Sequence, residues 1–132
     1  MKKYGLSAAE KLKSRKDFEE LFHNGNTLIS SNKRIKVVYS IDKDSEEHGL
    51  KFAVAVGKKN GKAIWRNRVK RLLRESIRLN KDLLLDITEE NRCNIKIIFS
   101  PCLLSMRNNR KIYLKDIMPD VVQIMSRISS KL

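Results

Sequence analysis

A dense run of lysine and arginine occupies residues 58–78. The run holds nine basic residues and a single acid, Glu75, so more than half of the chain's net charge of +14 lies there. If residues 63–79 form a helix, four of these cations, beginning with Arg66, follow one another at i,i+4 spacing. Each such pair of like charges is unfavourable by about 0.2–0.5 kcal/mol, and the only opposite-charge pair at this spacing is Arg71 with Glu75. Solvated faces usually mix charge signs, whereas guanidinium groups bind phosphate in a bidentate way, so the segment predicts polyanion binding.

Residues that could carry out catalysis are scattered. His23 and His48 are isolated near predicted turns, and no nucleophile, base and orienting acid occur at a suitable spacing. Cys93 and Cys102 have neither the spacing of a zinc site nor that of a disulfide framework, and we expect both to be packing residues. The acids of residues 82–90 are expected in a solvated connection. We therefore predict no catalytic residue and no metal site on the protein.

Length and composition bound the class of protein. A chain of 132 residues with 41% hydrophobic and 33% charged residues can bury one core, so we expect a single domain over residues 1–132, with 1–13 a flexible basic arm. No apolar run approaches the ~18 residues that span a membrane, and the start of the chain lacks the apolar segment of an export signal. We expect a cytoplasmic protein without a membrane partner. The basic charge favours nucleic acid, and the lack of zinc, zipper or helix-turn-helix patterns favours RNA over DNA.

Hydrophobic periodicity predicts the elements that position these residues. Phe18, Leu21 and Phe22 have helical spacing after Ser14 and before Gly25, and alternation predicts strands near residues 27–30, 35–41, 50–57 and 94–100. Helices are expected at 63–79 and about 113–129, the latter kinked or started by Pro119. The expected order is α-β-β-β-α-β-α, an α+β protein with helices on a mostly antiparallel sheet. One face of the 50–57 strand carries Lys51 and then the small residues Ala53, Ala55 and Gly57, which predicts close helix packing or a shallow groove.

The segment from Phe52 to Glu75, with its Arg66-Asn67-Arg68 triplet followed by Lys70-Arg71, resembles the signature of the bacterial ribonuclease P protein family. Asp17, Phe18 and Phe22 resemble that family's first helix, and the likeness covers about residues 12–100. The resemblance implies a small α/β sandwich, similar to a domain of a ribosomal protein, with a left-handed βαβ crossover. Gly57 stands where the family usually has serine, and Trp65 is bulkier than its common aliphatic counterpart.

The resemblance also implies a function and its residues. The protein would bind the catalytic RNA of ribonuclease P and the 5′ leader of precursor tRNA, and would assist endonucleolytic removal of that leader. The phosphodiester hydrolysis itself would use Mg²⁺ held by the RNA, with no cofactor on the protein and no obligate protein partner. The implied contacts to the catalytic RNA are Arg66, Asn67, Arg68, Lys70, Arg71 and Arg74. The implied contacts to the leader are Phe18, Phe22, Tyr39, Lys51, Lys58 and Lys59.

Other interpretations remain open from the residues. A ribosomal or other structured-RNA-binding protein without enzymatic function could use the same sandwich, and a DNA-binding regulator is a third alternative. Phe18 and Phe22 could equally be core residues, because aromatic residues at helical spacing usually are. Tyr39 shares its strand face with Ile35 and Val37, so a partly buried ring with an exposed hydroxyl is its default.

Overall fold

The computed structural model describes Leu12, residues 15–43, Glu46 and residues 49–131. Along this part of the chain the elements are α1 (Arg15–Asn24), β1 (Asn26–Ile29), β2 (Ile35–Asp42), β3 (Gly49–Val54), a 3₁₀ turn (Lys58–Asn60), α2 (Ala63–Asn80), α3 (Asp82–Glu90), β4 (Asn94–Pro101) and α4 (Leu114–Ser129). The predicted arm at residues 1–13, except Leu12, lies outside the described residues, as does part of the segment between β2 and β3, including His48.

The strands form a four-stranded sheet in the order β1-β2-β4-β3. β1 pairs with β2 and β2 with β4, both antiparallel, whereas β3 and β4 are parallel. Parallel neighbours need a crossover, and α2 and α3 provide it between β3 and β4. The predicted α+β sandwich with a mostly antiparallel sheet is confirmed.

Alternation along the strands divides the apolar residues between two faces. Ile35, Val37 and Tyr39 of β2 belong to the large core, which also includes buried residues of α2, α3 and α4. Val38 of β2 and Ile98 of β4 belong to a smaller cluster with Leu21 of α1. Of the helices in the described part of the chain, three therefore pack on one face of the sheet and α1 packs on the other. This division decides which side chains can share a surface.

Gly25 lets α1 lie close to the sheet. The N–H of Gly25 donates to the carbonyl of Leu21 at 2.8 Å and ends the helix. A Cβ on Gly25 would lie 2.7 Å from Cγ1 of Val38, too close for any side chain. Ahead of the helix, Leu12 is buried in the α1 cluster and its N–H donates to the carbonyl of Phe52 at 2.9 Å, so Leu12 does not belong to a loose arm. Leu12 and Gly25 thus bracket α1 and hold it against the sheet.

Two elements differ from the sequence prediction. The predicted acidic connection is helix α3, because Leu84 and Thr88 are spaced to be buried together while Asp86, Glu89 and Glu90 face solvent. Helix α4 begins at Leu114 and continues through Pro119, which therefore does not mark its start. The missing N–H of Pro119 deprives the carbonyl of Lys115 of its helical donor, and Lys115 is exposed, so water can replace it. None of the described helices is long and apolar enough to cross a membrane.

Candidate RNA-binding surfaces

The buried side of α2 fixes which residues it presents to solvent. Trp65, Val69, Leu73, Ser76 and Ile77 are buried in the core. On the opposite side Asn67, Arg71 and Arg74 are exposed. Three of the residues predicted to bind the catalytic RNA therefore share one open helix face.

The other three lie at the borders of that face rather than at its centre, since Arg66, Arg68 and Lys70 are half-buried. Nε of Arg66 donates to the carbonyl of Gly61 at 3.0 Å, and Nε of Arg68 donates to the carbonyl of Ile112 at 2.9 Å. A guanidinium has five N–H donors, so each arginine keeps its terminal amino groups for a phosphate while one bond fixes its orientation. Both side chains are thereby held in place before any ligand binds.

Glu75 is paired differently from the expectation. It forms a salt bridge with Arg78, one turn further along α2, rather than with Arg71. The hydrogen bond from Arg78 lowers the pKa of the Glu75 carboxyl and raises the pKa of the Arg78 guanidinium. Within the described residues no ion pair involves Arg71 or Arg74. The only acid of the basic segment thus neutralises its last cation and leaves the exposed row uncompensated.

A second surface lies on the opposite face of the sheet, beside α1. Phe18 is half-buried and packs against the α1 cluster, as do Ala53 of β3 and Ala55 just after it. Phe22, one turn further along α1, is 61% exposed. Ala53 and Ala55 are half-buried, so the sheet surface beside α1, called the groove here, is partly open. A partly open surface next to an exposed aromatic ring suits the stacking of unpaired bases.

Several lysines lie on this face of the sheet or beyond the end of β3, in different environments. Lys51 of β3 lies beside Lys96 of β4 in the parallel register. Nζ of Lys96 lies 3.1 Å from Oδ1 of Asp17 on α1, so Lys96 ties the helix to the sheet. A pocket between α1, β2 and β4 is lined in part by this pair. Lys58 and Lys59 are exposed on the 3₁₀ turn beyond the end of β3.

Tyr39 is not brought together with the other residues predicted for the leader. It is 4% exposed and packs in the large core, on the face of the sheet opposite α1. Its alternation with Val38, which lies under α1, forces this placement. The aromatic edge at α1 therefore consists of Phe18 and Phe22, and a contact from the Tyr39 ring to an RNA would require a different arrangement of the core.

Groups suited to acid, base or metal chemistry are not assembled here. In the ranges 15–43 and 49–131, no three His, Cys, Asp or Glu side chains lie close enough to hold a metal ion together. His23 is exposed at the end of α1, while burial raises the pKa of the Cys93 thiol. The two surfaces offer exposed cations and an exposed aromatic ring, which suit anionic and aromatic groups.

Comparison with known proteins decides the family. The family model described as Ribonuclease P matches residues 6–116. The chain belongs to the ribonuclease P protein family. Membership makes it a protein component of ribonuclease P, a partner of the ribonuclease P RNA and a participant in tRNA processing. The sequence prediction of the family is confirmed, and a ribosomal protein or DNA-binding regulator is not favoured.

Several ribonuclease P protein components are similar in sequence. The one from Porphyromonas gingivalis is 36% identical over 97 residues, which cover 73% of this chain and 69% of that protein. The one from Bacillus velezensis is 38% identical over 79 residues, which cover 60% of this chain and 65% of that protein.

Solved structures share the fold of this ribonuclease P protein. The ribonuclease P protein of Thermotoga maritima superposes with a TM-score of 0.70 at 23% identity, over 89% of this chain and 96% of that chain. The protein of Staphylococcus aureus gives a TM-score of 0.66 at 19% identity, over 90% of this chain and 94% of that chain.

One functional candidate escaped the sequence analysis of this ribonuclease P protein. Residues 102–113, between β4 and α4, pack along α2 through Trp65 and Arg68. Their apolar residues have no regular periodicity, and the residues of α2 that bind them lie 44 positions earlier in the sequence. A usable signal was present, however, because Arg107, Arg110 and Lys111 fall in a stretch without a single acid.

Proposed function

We propose that α2 binds the catalytic RNA of ribonuclease P, while the groove beside α1, together with the lysines of the 3₁₀ turn, binds the 5′ leader of precursor tRNA. The observation that carries this proposal is the placement of the two candidate surfaces on opposite faces of the sheet. The uncompensated row of Asn67, Arg71 and Arg74 lies on one face, and Phe18 and Phe22 on the other. A protein with this arrangement can contact two RNA molecules at once without either blocking the other.

The proposed contacts follow from charge and exposure. To the catalytic RNA we assign Arg66, Asn67, Arg68, Lys70, Arg71 and Arg74, whose guanidinium and ammonium groups neutralise phosphates and whose amide can bind a sugar or base edge. To the leader we assign Phe18, Phe22, Lys51, Lys58 and Lys59. Tyr39 stays a prediction of the sequence, and its burial makes it the least supported member of the set.

We further propose that the RNA, not the protein, holds the catalytic groups. Mg²⁺ bound by the RNA would activate the attacking water and stabilise the leaving oxygen. The contribution of this chain is to position the leader and to screen phosphate repulsion between two RNA molecules. Both contributions strengthen the binding of precursor tRNA. We place this reaction in the cytoplasm.

Leader release from precursor tRNA tests the proposal. The catalytic RNA is mixed with precursor tRNA at a Mg²⁺ concentration too low for efficient cleavage by RNA alone, with and without the protein. We expect the protein to raise the rate of leader release by at least tenfold, mainly through a lower KM, because it supplies positive charge and leader contacts that Mg²⁺ otherwise provides.

The comparison includes a catalytic RNA from which the nucleotides that bind Mg²⁺ at the active site have been changed. If the protein alone, or the protein with this inactive RNA, released the leader, the assignment of catalysis to the RNA would be wrong. If the protein bound the catalytic RNA but did not change the rate or KM, the role in leader positioning would be wrong.

A further inference from the structure

We propose that residues 102–113 and Lys115, together called the basic loop, form an additional contact surface for the catalytic RNA, continuous with α2 and centred on Tyr113. The inference rests on the proposed function, since it extends the same RNA interface. It adds residues outside the arginine-rich helix, namely Arg107, Arg110, Lys111, Tyr113 and Lys115.

Charge is the first argument for this surface. Arg107, Arg110, Lys111 and Lys115 are all exposed, and no acid lies between Cys102 and Lys115. The described part of the chain records no salt bridge for any of the four. Four uncompensated cations on one short segment repel one another, and a polyanion relieves that repulsion.

The basic loop is also held in one path before any ligand binds. Trp65 Nε1 donates to the carbonyl of Asn109 at 2.9 Å, and Arg68 Nε donates to the carbonyl of Ile112 at 2.9 Å. Nearer to β4, the N–H of Met106 donates to the carbonyl of Asn60 at 2.7 Å. The side chain of Ile112 is buried. Binding through a loop fixed in this way avoids most of the cost of ordering it.

Gly61 permits this close packing on α2. A Cβ on Gly61 would lie 2.6 Å from Cβ of Met106 and 3.0 Å from the Trp65 ring. The chain between the 3₁₀ turn and α2 therefore touches the basic loop directly. Through this contact and the hydrogen bond from Arg68, α2 and the basic loop form one connected surface.

Tyr113 gives this surface a group that recognises more than charge. The Tyr113 side chain is 49% exposed, and its ring centroid lies 5.7 Å from both the Arg68 guanidinium and the Lys115 ammonium. A half-exposed ring with two cations nearby can stack its exposed part on an unpaired base while the cations bind the adjacent phosphates. An acidic protein partner would satisfy the charge but would leave the ring without its best partner, so the chemistry favours RNA.

The position favours the catalytic RNA over the leader. Arg68 belongs both to the α2 row and to the cation pair at Tyr113, whereas Phe18 and Phe22 lie across the sheet. One RNA that covers the exposed face of α2 reaches the basic loop by crossing Arg68. A leader in the groove beside α1 would have to pass around the edge of the sheet.

Binding of the full-length protein to the catalytic RNA, measured at several salt concentrations, tests this inference. The charge variant is Arg110→Ala with Lys111→Ala, and its control is Lys43→Ala with Lys131→Ala, which removes two exposed lysines elsewhere. We expect the charge variant to bind about tenfold more weakly with a salt slope lower by about 1.5–2, and the control to match the native protein. We expect Tyr113→Leu to lose roughly tenfold in affinity with an unchanged slope, and Tyr113→Phe to keep it.

The outcomes separate this inference from the function on which it depends. If the native protein failed to bind the catalytic RNA, the proposed function itself would fall. If Arg71→Ala weakened binding while the charge variant behaved like its control, only the basic-loop surface would be overturned. A charge variant that lost affinity for precursor tRNA but not for the catalytic RNA would overturn the choice of partner, and equal binding by the Leu and Phe variants of Tyr113 would overturn stacking.

Discussion

At the scale of single residues, Phe18 and Phe22 have the same side chain but different surroundings. Phe18 is half-buried in the α1 cluster, while Phe22 is 61% exposed at the edge of the groove. The Phe22 ring therefore has little packing to lose on truncation, whereas Phe18 packs against the buried cluster. The contrast makes Phe22 the better probe of leader binding and Phe18 the better probe of packing.

We predict that Phe22→Ala weakens binding of precursor tRNA by the complete ribonucleoprotein by roughly tenfold, leaves mature tRNA binding unchanged and changes the free energy of unfolding by less than about 0.5 kcal/mol. Phe18→Ala should reduce both leader binding and stability. Competition binding with the two tRNAs and urea unfolding measure these effects. Leu83→Ala, at an apolar residue of α3 that is 42% exposed, is the control. An equal loss of affinity for precursor tRNA and mature tRNA would show that Phe22 does not contact the leader.

Substitution of Glu75 provides a test in which binding of the catalytic RNA is expected to become tighter. Its carboxyl has a lowered pKa because Arg78 donates a hydrogen bond to it, so it stays charged at neutral pH and opposes phosphate on α2. We predict that Glu75→Gln binds the catalytic RNA about threefold more tightly, because it removes this charge and releases Arg78, whereas Arg71→Gln binds several-fold more weakly. Titrations at low and moderate salt measure both changes. Weaker binding by Glu75→Gln would show instead that the ion pair positions Arg78.

At the scale of elements, the hairpin between β1 and β2 is joined to α4 by side chains. The N–H of Ser31 donates to Oε1 of Gln123 at 2.8 Å, and Nδ2 of Asn32 donates to Oδ1 of Asp120 at 2.9 Å. The second oxygen of Asp120 is buried without a hydrogen-bond partner among the described residues. Burial raises the pKa of the Asp120 carboxyl, although Asn32 and the charge of Arg34 act in the opposite direction.

This carboxyl predicts a specific dependence of stability on pH. The folded chain holds the Asp120 proton more tightly than the unfolded chain, so its contribution to the free energy of unfolding falls as the pH rises from the ordinary value of 3.8 through the raised pKa. Asp120→Asn has no proton to lose. We predict that the stability of the variant relative to the native protein increases over this range and then becomes constant. Urea unfolding between about pH 4 and pH 7 measures this difference, and a difference independent of pH would contradict the assignment.

The elements also show what the sequence could predict. The position of α2 and its buried side followed from apolar residues three and four apart, and the faces of β2 followed from alternation. The sequence did not predict helix α3, because its acids obscured the spacing of Leu84 and Thr88, which are buried in the fold. The pairing of Glu75 with Arg78 rather than Arg71 was also beyond the sequence, since both partners lie at permitted helical spacings.

At the scale of the whole molecule, the sheet separates two kinds of surface. One face carries the cations of α2 and the basic loop, and the other carries the groove with Phe22 at its edge. The family resemblance implied two RNA surfaces, and most of the residues that it named lie on the two surfaces that we propose. The sequence could not predict that Tyr39 lies on the sheet face opposite α1, because this depends on which face each helix covers. It could not predict that the basic loop packs along α2, because this depends on contacts between distant residues.

The anchoring of the basic loop has a consequence for how members of this family can diverge. Trp65 and Arg68 hold the loop through the carbonyl groups of Asn109 and Ile112, and a carbonyl is present whatever the side chain at that position. Mutations at residues 107, 108, 110 and 111 can therefore change the charge and size of the exposed side chains while the path of the backbone persists. Natural selection can alter these positions to match a changing RNA sequence without first rebuilding the fold.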